Sequence, residues 1–508
     1  MTPVEIVVLA DIELRLLLSE SKELDELAEK GELDEIGQIR QVEVLERLEM
    51  IESDSAERRA DELLINLGFS DELRSRQMSE LSGGWRVRTM LAAAIFARPD
   101  MLLLDEPTNH LSITAVLWLA RELKESPVWR DRIIIIVSHD RYFLDEVCTD
   151  VLHISGAARR LTQSHGNYTT WSIRRSEQQQ LFEKETVNRQ NEIDKMKEFS
   201  GHGFKYGGSS NAINKMKMLE KQASKLEIQA NNQAEESAAL QEDIELPLIM
   251  KSGGELPGFI VQMKQVAFGY PGSKCLFSDA DFSVTSKSRI VLLGENGNGK
   301  TTLVKLMLGE LMPTKGEVLI KSNARVALVN QHHAEQIDLD LTPLQYMTKL
   351  FPAPEGTTGF DHLQRLRSHL ASCGVTGGSS TKSANGNQGS ALGLNQILDL
   401  QNTPAQALSG GQRSRVAMAA VSFLKPHVLV LDEPTNNLDL ESVGALADSI
   451  LKFDGAVVCV SHDQFFVNKI ANEAWVVGNG KVKRVESFEA YRKVQLNRLN
   501  KVKPLKSI

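Results

Sequence analysis

Apolar residues in the C-terminal half of this chain collect in short unbroken runs separated by amphipathic segments. The runs that matter most are Ile290–Leu293, Val428–Leu431 and Ala456–Val460. Short apolar runs without alternation predict strands that are buried on both faces of a parallel sheet. Because helical patterns lie between these runs, the sequence predicts an α/β fold.

The chain contains an internal repeat. "LSGGWRVRTMLAAAIFARPDMLLLDEPTNHL" from Leu81 matches "LSGGQRSRVAMAAVSFLKPHVLVLDEPTNNL" from Leu408, and "VSHDRYF" from Val137 matches "VSHDQFF" from Val460. Self-similarity over this length indicates two tandem copies of one domain.

A charged segment separates the two copies. From Ser172 to about Met250 the chain is rich in Gln, Glu, Lys and Arg, and loosely spaced apolar residues predict a helical arm. The glycines of Ser200–Asn211 are expected to break this helix and give a hairpin with a glycine-rich tip. A second glycine-rich stretch, Gly374–Ser390, is interpreted as a surface insertion without chemistry.

Composition narrows the class of protein. The 508 residues carry a net charge of -9, and residues 1–80 hold 22 acidic against 9 basic side chains, which predicts an acidic helical region. The four cysteines form no CxxC pair, so neither a zinc site nor a disulfide framework is indicated, and a reducing, cytoplasmic location is expected. No apolar run approaches the about 18 residues of a membrane span.

"GENGNGKT", Gly294–Thr301, fits the phosphate-loop pattern and lies between an apolar run and a helical segment. Its glycines let backbone N–H groups close around phosphates, and the following helix points its positive end toward them. Lys300 is predicted to pair with the β- and γ-phosphates of a nucleotide. Thr301 is predicted to place its hydroxyl on Mg²⁺.

Polar residues follow the other two predicted strands. Asp432 suits a role in holding Mg²⁺ and its waters, and Glu433 is predicted to polarise a water for attack on the γ-phosphate. His462 ends the third strand and is predicted to contact the γ-phosphate. Gln331, after the run "VALV", is a weaker candidate for Mg²⁺ or the attacking water. For Tyr270, stacking on adenine and a plain packing role are both open.

In this order, the phosphate loop, the glutamine, "LSGGQ", "LDEPTNNLD" and "SHD" resemble an ATP-binding cassette. Two cassettes joined by a charged arm, without a membrane domain, resemble the ABC-F family of translation-associated ATPases. The resemblance implies two tandem P-loop cassettes, the first incomplete: residues 1–171, an arm at 172–250, a complete second cassette at 251–485 and a basic tail at 486–508. It also implies that the arm reaches toward the rRNA and tRNA of the ribosome.

The first copy lacks a phosphate loop. Lys300 precedes Ser409 by 109 positions, whereas the same distance before Ser82 runs past residue 1. We therefore expect that an N-terminal part of the first cassette is missing and that this copy is the less stable half. We also expect Asp105, Glu106, His139 and Ser409 to be idle. Copy one has Ser112 where copy two has Asp439. This difference puts in question the coupling between the two copies.

Cassettes of the resembled family bind ATP between two copies that face each other head to tail. Ser82, Gly83 and Gly84 of copy one are thus predicted to meet the phosphate loop of copy two in one composite site. Lys300, Glu433 and His462 are the predicted catalytic residues, and Thr301 and Gln331 the predicted metal ligands. The residues predicted to bind ATP and Mg²⁺ are Tyr270, Gly294, Asn296, Gly297, Gly299, Lys300, Thr301, Thr302, Gln331, Asp432, Ser82, Gly83 and Gly84.

Two other functions stay open. A regulatory scaffold that binds nucleotide without hydrolysis fits the missing loop and Ser112. An energising subunit of a membrane transporter would share every cassette motif, although the tandem copies and the charged arm argue against it. Turnover of ATP by the purified protein separates the ATPase from the scaffold.

Overall fold

The computed structural model describes residues 1–109, 111–155, 160–203, 218, 221, 224, 246–272, 275–330, 333–376, 399–436 and 438–499. Internal contacts divide the chain into two units. One unit combines Met1–Phe143 with Leu246–Ile508, and the other is Leu144–Glu245. The domain boundaries given by the sequence remain predictions, and Gln331, the tip residues Phe204–Tyr206 and most of the Gly374–Ser390 insertion lie outside the described residues.

The first copy begins with the acidic helices that its composition predicts. A Thr2 capping box starts the first helix, and Asp11 and Asp34 cap the next two, so polar residues fix each helix start. The elements of this copy in the first unit are α1 (Pro3–Leu9), α2 (Ile12–Glu29), α3 (Glu35–Met50), α4 (Ala56–Asn66), α5 (Asp71–Ser75), α6 (Gly83–Phe96), β1 (Met101–Asp105), α7 (Ile113–Glu125) and β2 (Ile133–Val137), and α8 (Arg141–Val147) leads into the second unit.

Among its described residues, the second unit contains a short hairpin and a long helix. β3 (Asp150–Ser155) pairs antiparallel with β4 (Arg160–His165), and α9 (Tyr168–Gly203) follows. α9 extends to Gly203, and the break expected within Ser200–Asn211 remains a prediction, because residues 204–211 lie outside the described residues. A single glycine costs a helix only about 1 kcal/mol, which a long helix tolerates. Among the described residues, every helix is too short or too polar to cross a lipid bilayer.

The second copy is built on a nine-stranded mixed sheet. Its elements are β5 (Phe259–Phe268), β6 (Phe277–Thr285), β7 (Arg289–Leu293), α10 (Lys300–Met307), β8 (Lys315–Ile320), β9 (Val326–Val329), α11 (Pro343–Leu350), α12 (Gly359–Ser372), α13 (Gly410–Phe423), β10 (Val428–Asp432), α14 (Leu440–Leu451), β11 (Ala456–Val460), α15 (Gln464–Ile470), β12 (Glu473–Gly478), β13 (Gly480–Val485) and α16 (Phe488–Leu499). The order of the strands in the sheet is β8-β5-β6-β13-β12-β7-β11-β10-β9. The three predicted strands, β7, β10 and β11, are confirmed.

The parallel centre of this sheet positions the site. β11 lies between β7 and β10, and all three run parallel, so their carboxyl ends meet at one edge. Every residue of β10 and β11 is buried. The core of this copy packs the sheet against α10, while α11, α12 and α13 share a second core. A loop at the carboxyl edge is therefore held by a rigid support.

Strands β1 and β2 of the first copy are much less buried than β10 and β11 of the second copy. β1 and β2 pair in parallel with the same register as β10 and β11, but they form a two-stranded sheet among the described residues. Leu103 is 66% exposed and Ile133 is 56% exposed, whereas Val430, the counterpart of Leu103, is fully buried. Apolar side chains of β1 and β2 are therefore exposed where a counterpart in the second copy is buried.

This difference gives a matched pair of substitutions. Leu103→Thr should change the free energy of unfolding by no more than about 0.5 kcal/mol, because its side chain is already in water. Val430→Thr should cost about 1–3 kcal/mol, because it buries a hydroxyl. Urea unfolding followed by circular dichroism measures both changes. Equal losses would mean that the Leu103 face is covered in solution.

Candidate active site at the seam of the two copies

The phosphate loop closes around the ammonium of Lys300. Its Nζ donates to Gly294 O at 2.7 Å, Glu295 O at 3.2 Å and Asn296 Oδ1 at 3.4 Å. Lys300 is only 7% exposed, and burial lowers its pKa while the carboxylates of Glu433 and Asp432 counteract that shift. A buried cation held by carbonyl oxygens at a helix start is suited to exchange those oxygens for phosphate oxygens.

The loop needs its glycines. Gly294 has φ 140°, and a Cβ at this position would lie 2.2 Å from Val477 O. Gly299 has φ 92° and caps α10, and Gly297 also lies in the left-handed region with φ 86°. A side chain at Gly294 would collide with the backbone of β12, so the tight approach that cradles phosphates depends on glycine there.

The carboxyl end of β10 brings Asp432 to the loop. Thr301 Oγ1 donates a hydrogen bond to Asp432 Oδ2 at 3.0 Å, which joins two residues that are 131 positions apart. A hydroxyl and a carboxylate side by side, next to a phosphate loop, are oxygen ligands of the kind that Mg²⁺ prefers. The residues present therefore fit a magnesium ion.

Glu433 has a strained backbone and a largely buried carboxyl group. Its φ is 50°, in the left-handed region, and its N–H donates to Val460 O at 2.8 Å. Burial, opposed by Lys300, raises the pKa of Glu433 to about 8. Strain and a perturbed pKa at one carboxyl group are typical of a catalytic acid or base.

His462 connects Glu433 to the phosphate loop. Its Nε2 lies 3.4 Å from Glu433 Oε1 and 3.1 Å from Asn296 Oδ1, and its backbone N–H donates to Glu433 Oε2 at 3.3 Å. Burial first, and then the charges of Lys300 and Arg88, keep the pKa of His462 well below its usual value. The imidazole is therefore neutral near pH 7 and orients its neighbours through hydrogen bonds.

Residues of both copies line one cavity of about 960 Å³. Lys300, Thr301 and Glu433 of copy two share this cavity with Ser82, Gly83 and Gly84 of copy one. These residues belong to the composite site expected from the sequence, and that site remains a prediction. Asn296, Gly297, Gly299, Thr302, Asp432 and His462 also line the cavity.

Tyr270, which precedes the phosphate loop in the chain, lines the same cavity. The residue is 43% exposed, and its ring packs edge-on against Phe268, with centroids 5.1 Å apart. Its hydroxyl lies 3.3 Å from Thr302 Oγ1. The adenine-stacking role of Tyr270 stays a prediction beside its packing role.

The copy-one counterparts of the catalytic pair reach this cavity as well. Glu106 Oε1 lies 3.2 Å from His139 Nε2, and both residues line the cavity. Glu106 repeats the strained backbone of Glu433, with φ 47°, and its N–H donates to Val137 O at 2.8 Å. The local geometry of the pair is therefore conserved between the copies, and the expected idleness of Glu106 and His139 remains a prediction.

Ser112 takes over the local role of its counterpart Asp439. The hydroxyl of Ser112 caps α7 by accepting from Ala115 N at 3.3 Å, and the carboxylate of Asp439 caps α14 by accepting from Ser442 N at 2.8 Å. Both residues are effective helix caps. The departure at Ser112 therefore preserves the helix start and removes one negative charge.

Direct contacts join the two copies at this seam. Arg141 donates to Leu440 O at 2.9 Å and places its guanidinium 4.0 Å from the ring centroid of Phe465. Tyr142 Oη accepts from Asn468 Nδ2 at 3.3 Å. Because α16 also packs against α7, the copies are held together by contacts that require no nucleotide.

Sequence reasoning missed the aspartates that follow the two histidines. Asp140 and Asp463 cap α8 and α15, and both line the cavity. Burial and the charge of Asp463 raise the pKa of Asp140 to about 7, while the N–H groups of Phe143 and Tyr142 and the charge of Arg492 oppose the shift. The duplicated "SHD" sequence could have drawn attention to these aspartates. That the carboxyl groups of Asp140 and Asp463 interact is visible only in the structure.

Asp140→Asn should flatten the pH dependence of stability. The folded-state pKa of Asp140 lies above its unfolded value, so the wild type loses stability as the pH rises from about 4 to about 7. Asn keeps the helix cap and has no charge, so the variant should be more stable than the wild type at pH 8 by about 1 kcal/mol or more. Urea unfolding between pH 5 and 8 measures this, and an unchanged slope would contradict it.

The chain matches known proteins over most of its length. The sequence model of the family described as ABC transporter matches residues 15–109 and 277–436. ABC transporter F family member 3 of Arabidopsis thaliana is 36% identical over 445 residues, and ATP-binding cassette sub-family F member 3 of Mus musculus is 35% identical over 452 residues. Each match covers 87% of this chain and 56% of the relative, so the chain spans little more than half the length of these relatives.

Solved structures share the fold at lower identity. An archaeal ribosome recycling factor, solved in complex with an archaeal ribosomal stalk protein, gives a TM-score of 0.53 at 20% identity and covers 87% of this chain and 70% of its own. A structure described as RNase-L Inhibitor gives 0.52 at 19% identity, with 87% and 71% covered. At this identity the likeness concerns the fold alone.

Proposed function

Because this chain belongs to the family of ATP-binding cassette proteins, and within it to the ABC-F group, we propose that it binds and hydrolyses ATP at the seam between its two copies. One observation carries the proposal: the buried Lys300 cradle of copy two and the Ser82 helix start of copy one line the same cavity. A nucleoside triphosphate in this cavity would meet the Lys300 ammonium on one side and the helix N–H donors of copy one on the other.

Each side chain has a distinct task in this site. Lys300 would exchange its carbonyl partners for the β- and γ-phosphates, and Thr301 and Asp432 would hold Mg²⁺. Mg²⁺, when bound, supplies positive charge that neutralises the phosphate oxygens. The role of Gln331 as a metal ligand belongs to the same proposal.

Glu433 performs the proton chemistry. Its carboxyl group orients a water for in-line attack on the γ-phosphorus and accepts a proton from it, for which a pKa near the working pH is favourable. His462, neutral and bonded to Asn296, keeps Glu433 and the loop aligned. The nearby charge of Lys300 favours the ionised carboxylate that this step requires.

Glu433→Gln should keep ATP binding and lower the turnover number by about 100-fold or more, because the cradle remains while the base is lost. Glu106→Gln is the matched control, and it should change turnover less than two-fold, since the phosphate loop is in copy two. Phosphate release and binding of a fluorescent ATP analogue measure both properties. Full turnover in Glu433→Gln would reject the assignment, and absence of turnover in the wild type would favour the scaffold function.

We place this ATPase in the cytoplasm, at the ribosome. Membership of the ABC-F group, which is translation-associated, supports a role in translation. The long polar helix α9, the first part of the arm, suits a reach toward rRNA or tRNA. The Glu433→Gln protein should therefore co-sediment with ribosomes when ATP is present, and Lys300→Ala should abolish this ATP dependence. Sedimentation that ignores ATP would contradict the proposal.

A further inference from the structure

Helix α16 follows the last strand of copy two, but one side of it packs on copy one. It contacts α7 of copy one as well as α15 and β13 of its own copy. Arg492 of α16 places its guanidinium 5.3 Å from the ring centroid of Tyr142 in copy one. The buried residues of α16 recur every three or four positions, so they share one side of the helix, and they are Phe488, Tyr491, Gln495 and Leu499.

The contacts between α16 and α7 extend along both helices. Gln495 Oε1 lies 3.5 Å from Thr114 Oγ1, in the first turn of α7. Two turns further along α7, the guanidinium of Arg121 donates to Leu499 O. Gln495 and Leu499 are each 6% exposed, so these contacts are largely shielded from water. The chain of copy two therefore crosses the seam and lies along a helix of copy one.

Tyr491 lies where α7, α16 and the phosphate loop come together. The residue is 8% exposed, and its hydroxyl is hydrogen-bonded to the side chains of Thr114 and Gln495. Burial first, and then the charge of Glu295, raise the pKa of Tyr491 above its usual value, while the charge of Arg498 and these hydrogen bonds oppose the shift. Since Glu295 belongs to the phosphate loop and Thr114 to α7, Tyr491 is close to both copies at the ATP cavity.

The start of α7 is part of the wall of that cavity. Val116, two residues after Thr114, lines the cavity, and the segment that leads into α7 contributes Thr108 and Asn109. A shift of α7 away from copy two would therefore open the copy-one wall of the ATP site. The hydrogen bond between Tyr491 and Thr114 opposes such a shift.

We propose that Tyr491 is a positioning residue that holds the start of α7 against the phosphate loop and so keeps the seam closed for ATP. The inference rests on the proposed ATP site. It adds that a residue outside the cassette motifs determines the fraction of molecules in which the seam is closed. A lower closed fraction weakens the apparent affinity for ATP in proportion, while the reacting groups of the closed molecules stay the same.

A double-mutant cycle tests the contact between the two hydroxyl groups. Tyr491→Phe and Thr114→Val each remove one hydroxyl and nearly keep the shape of the side chain. Each should raise the KM for ATP about five-fold, a factor typical of one lost hydrogen bond, with kcat changed less than two-fold. The double variant should be no worse than Tyr491→Phe alone, because the shared bond is already lost. Lys493→Ala, on the exposed side of α16, is the control and should keep the wild-type KM.

A second readout needs no nucleotide. Hydrogen exchange of the backbone amides at residues 116–120 should be several-fold faster in Tyr491→Phe and Thr114→Val, because α7 leaves the seam more often. Exchange in α13 of copy two, and in every helix of the Lys493→Ala protein, should match the wild type. This measurement uses the full chain without ATP, so it decides the inference even if the wild type fails to hydrolyse ATP.

The outcomes are distinct. Higher KM values and faster exchange in the two single variants, with no further loss in the double variant, support the inference. Effects that multiply in the double variant would show that the two hydroxyls act separately and would overturn it, as would an unchanged KM or an equal effect of Lys493→Ala. Loss of ATP binding in Lys300→Ala, run in parallel, reports on the proposed function, so binding that survives this substitution would refute that function separately.

Discussion

The ammonium of Lys300, withdrawn from water inside the phosphate loop, is the constraint on which the rest of the site depends. A buried cation must be bonded, and the carbonyls of Gly294 and Glu295 satisfy it. That geometry requires a glycine against Val477, a helix that begins at Lys300 and a sheet rigid enough to hold both. Asp432 and Glu433 at the end of β10 then supply the opposing charge, so the core of the second copy supports one electrostatic cluster.

The internal repeat shows how the surroundings alter the same sequence pattern. The β1–β2 pair has the same register as the β10–β11 pair, and β1 and β10 both lead into an Asp-Glu sequence. Leu103 is nevertheless exposed where Val430 is buried. The first copy contributes a helix start and a strained glutamate to the cavity, while the second contributes the cradle. Residues outside the phosphate loop, such as Glu433 and Ser409, have counterparts in the first copy, Glu106 and Ser82, which provide controls inside a single molecule.

The strands and the cradle could be predicted because their signals are local. The runs at Ile290–Leu293 and Ala456–Val460 are apolar without interruption, and the loop follows a fixed spacing of glycines. The closeness of Asp140 to Asp463 and the packing of Trp85 against Phe69 could not be predicted, since they depend on contacts between separate segments of the chain. α9 includes Gly201, because a glycine weakens a helix without necessarily ending it.

The stoichiometry and side-chain dependence of ATP binding test the central claim most directly. Isothermal titration of the full chain carrying Glu433→Gln should give one ATP per chain. Adding Ser82→Ala should weaken binding about ten-fold, because a hydrogen bond to a charged phosphate is lost, whereas adding Ser409→Ala should have no effect. Equal weakening by both serine substitutions, or by Ser409→Ala alone, would show that the early signature and the late phosphate loop do not form one site.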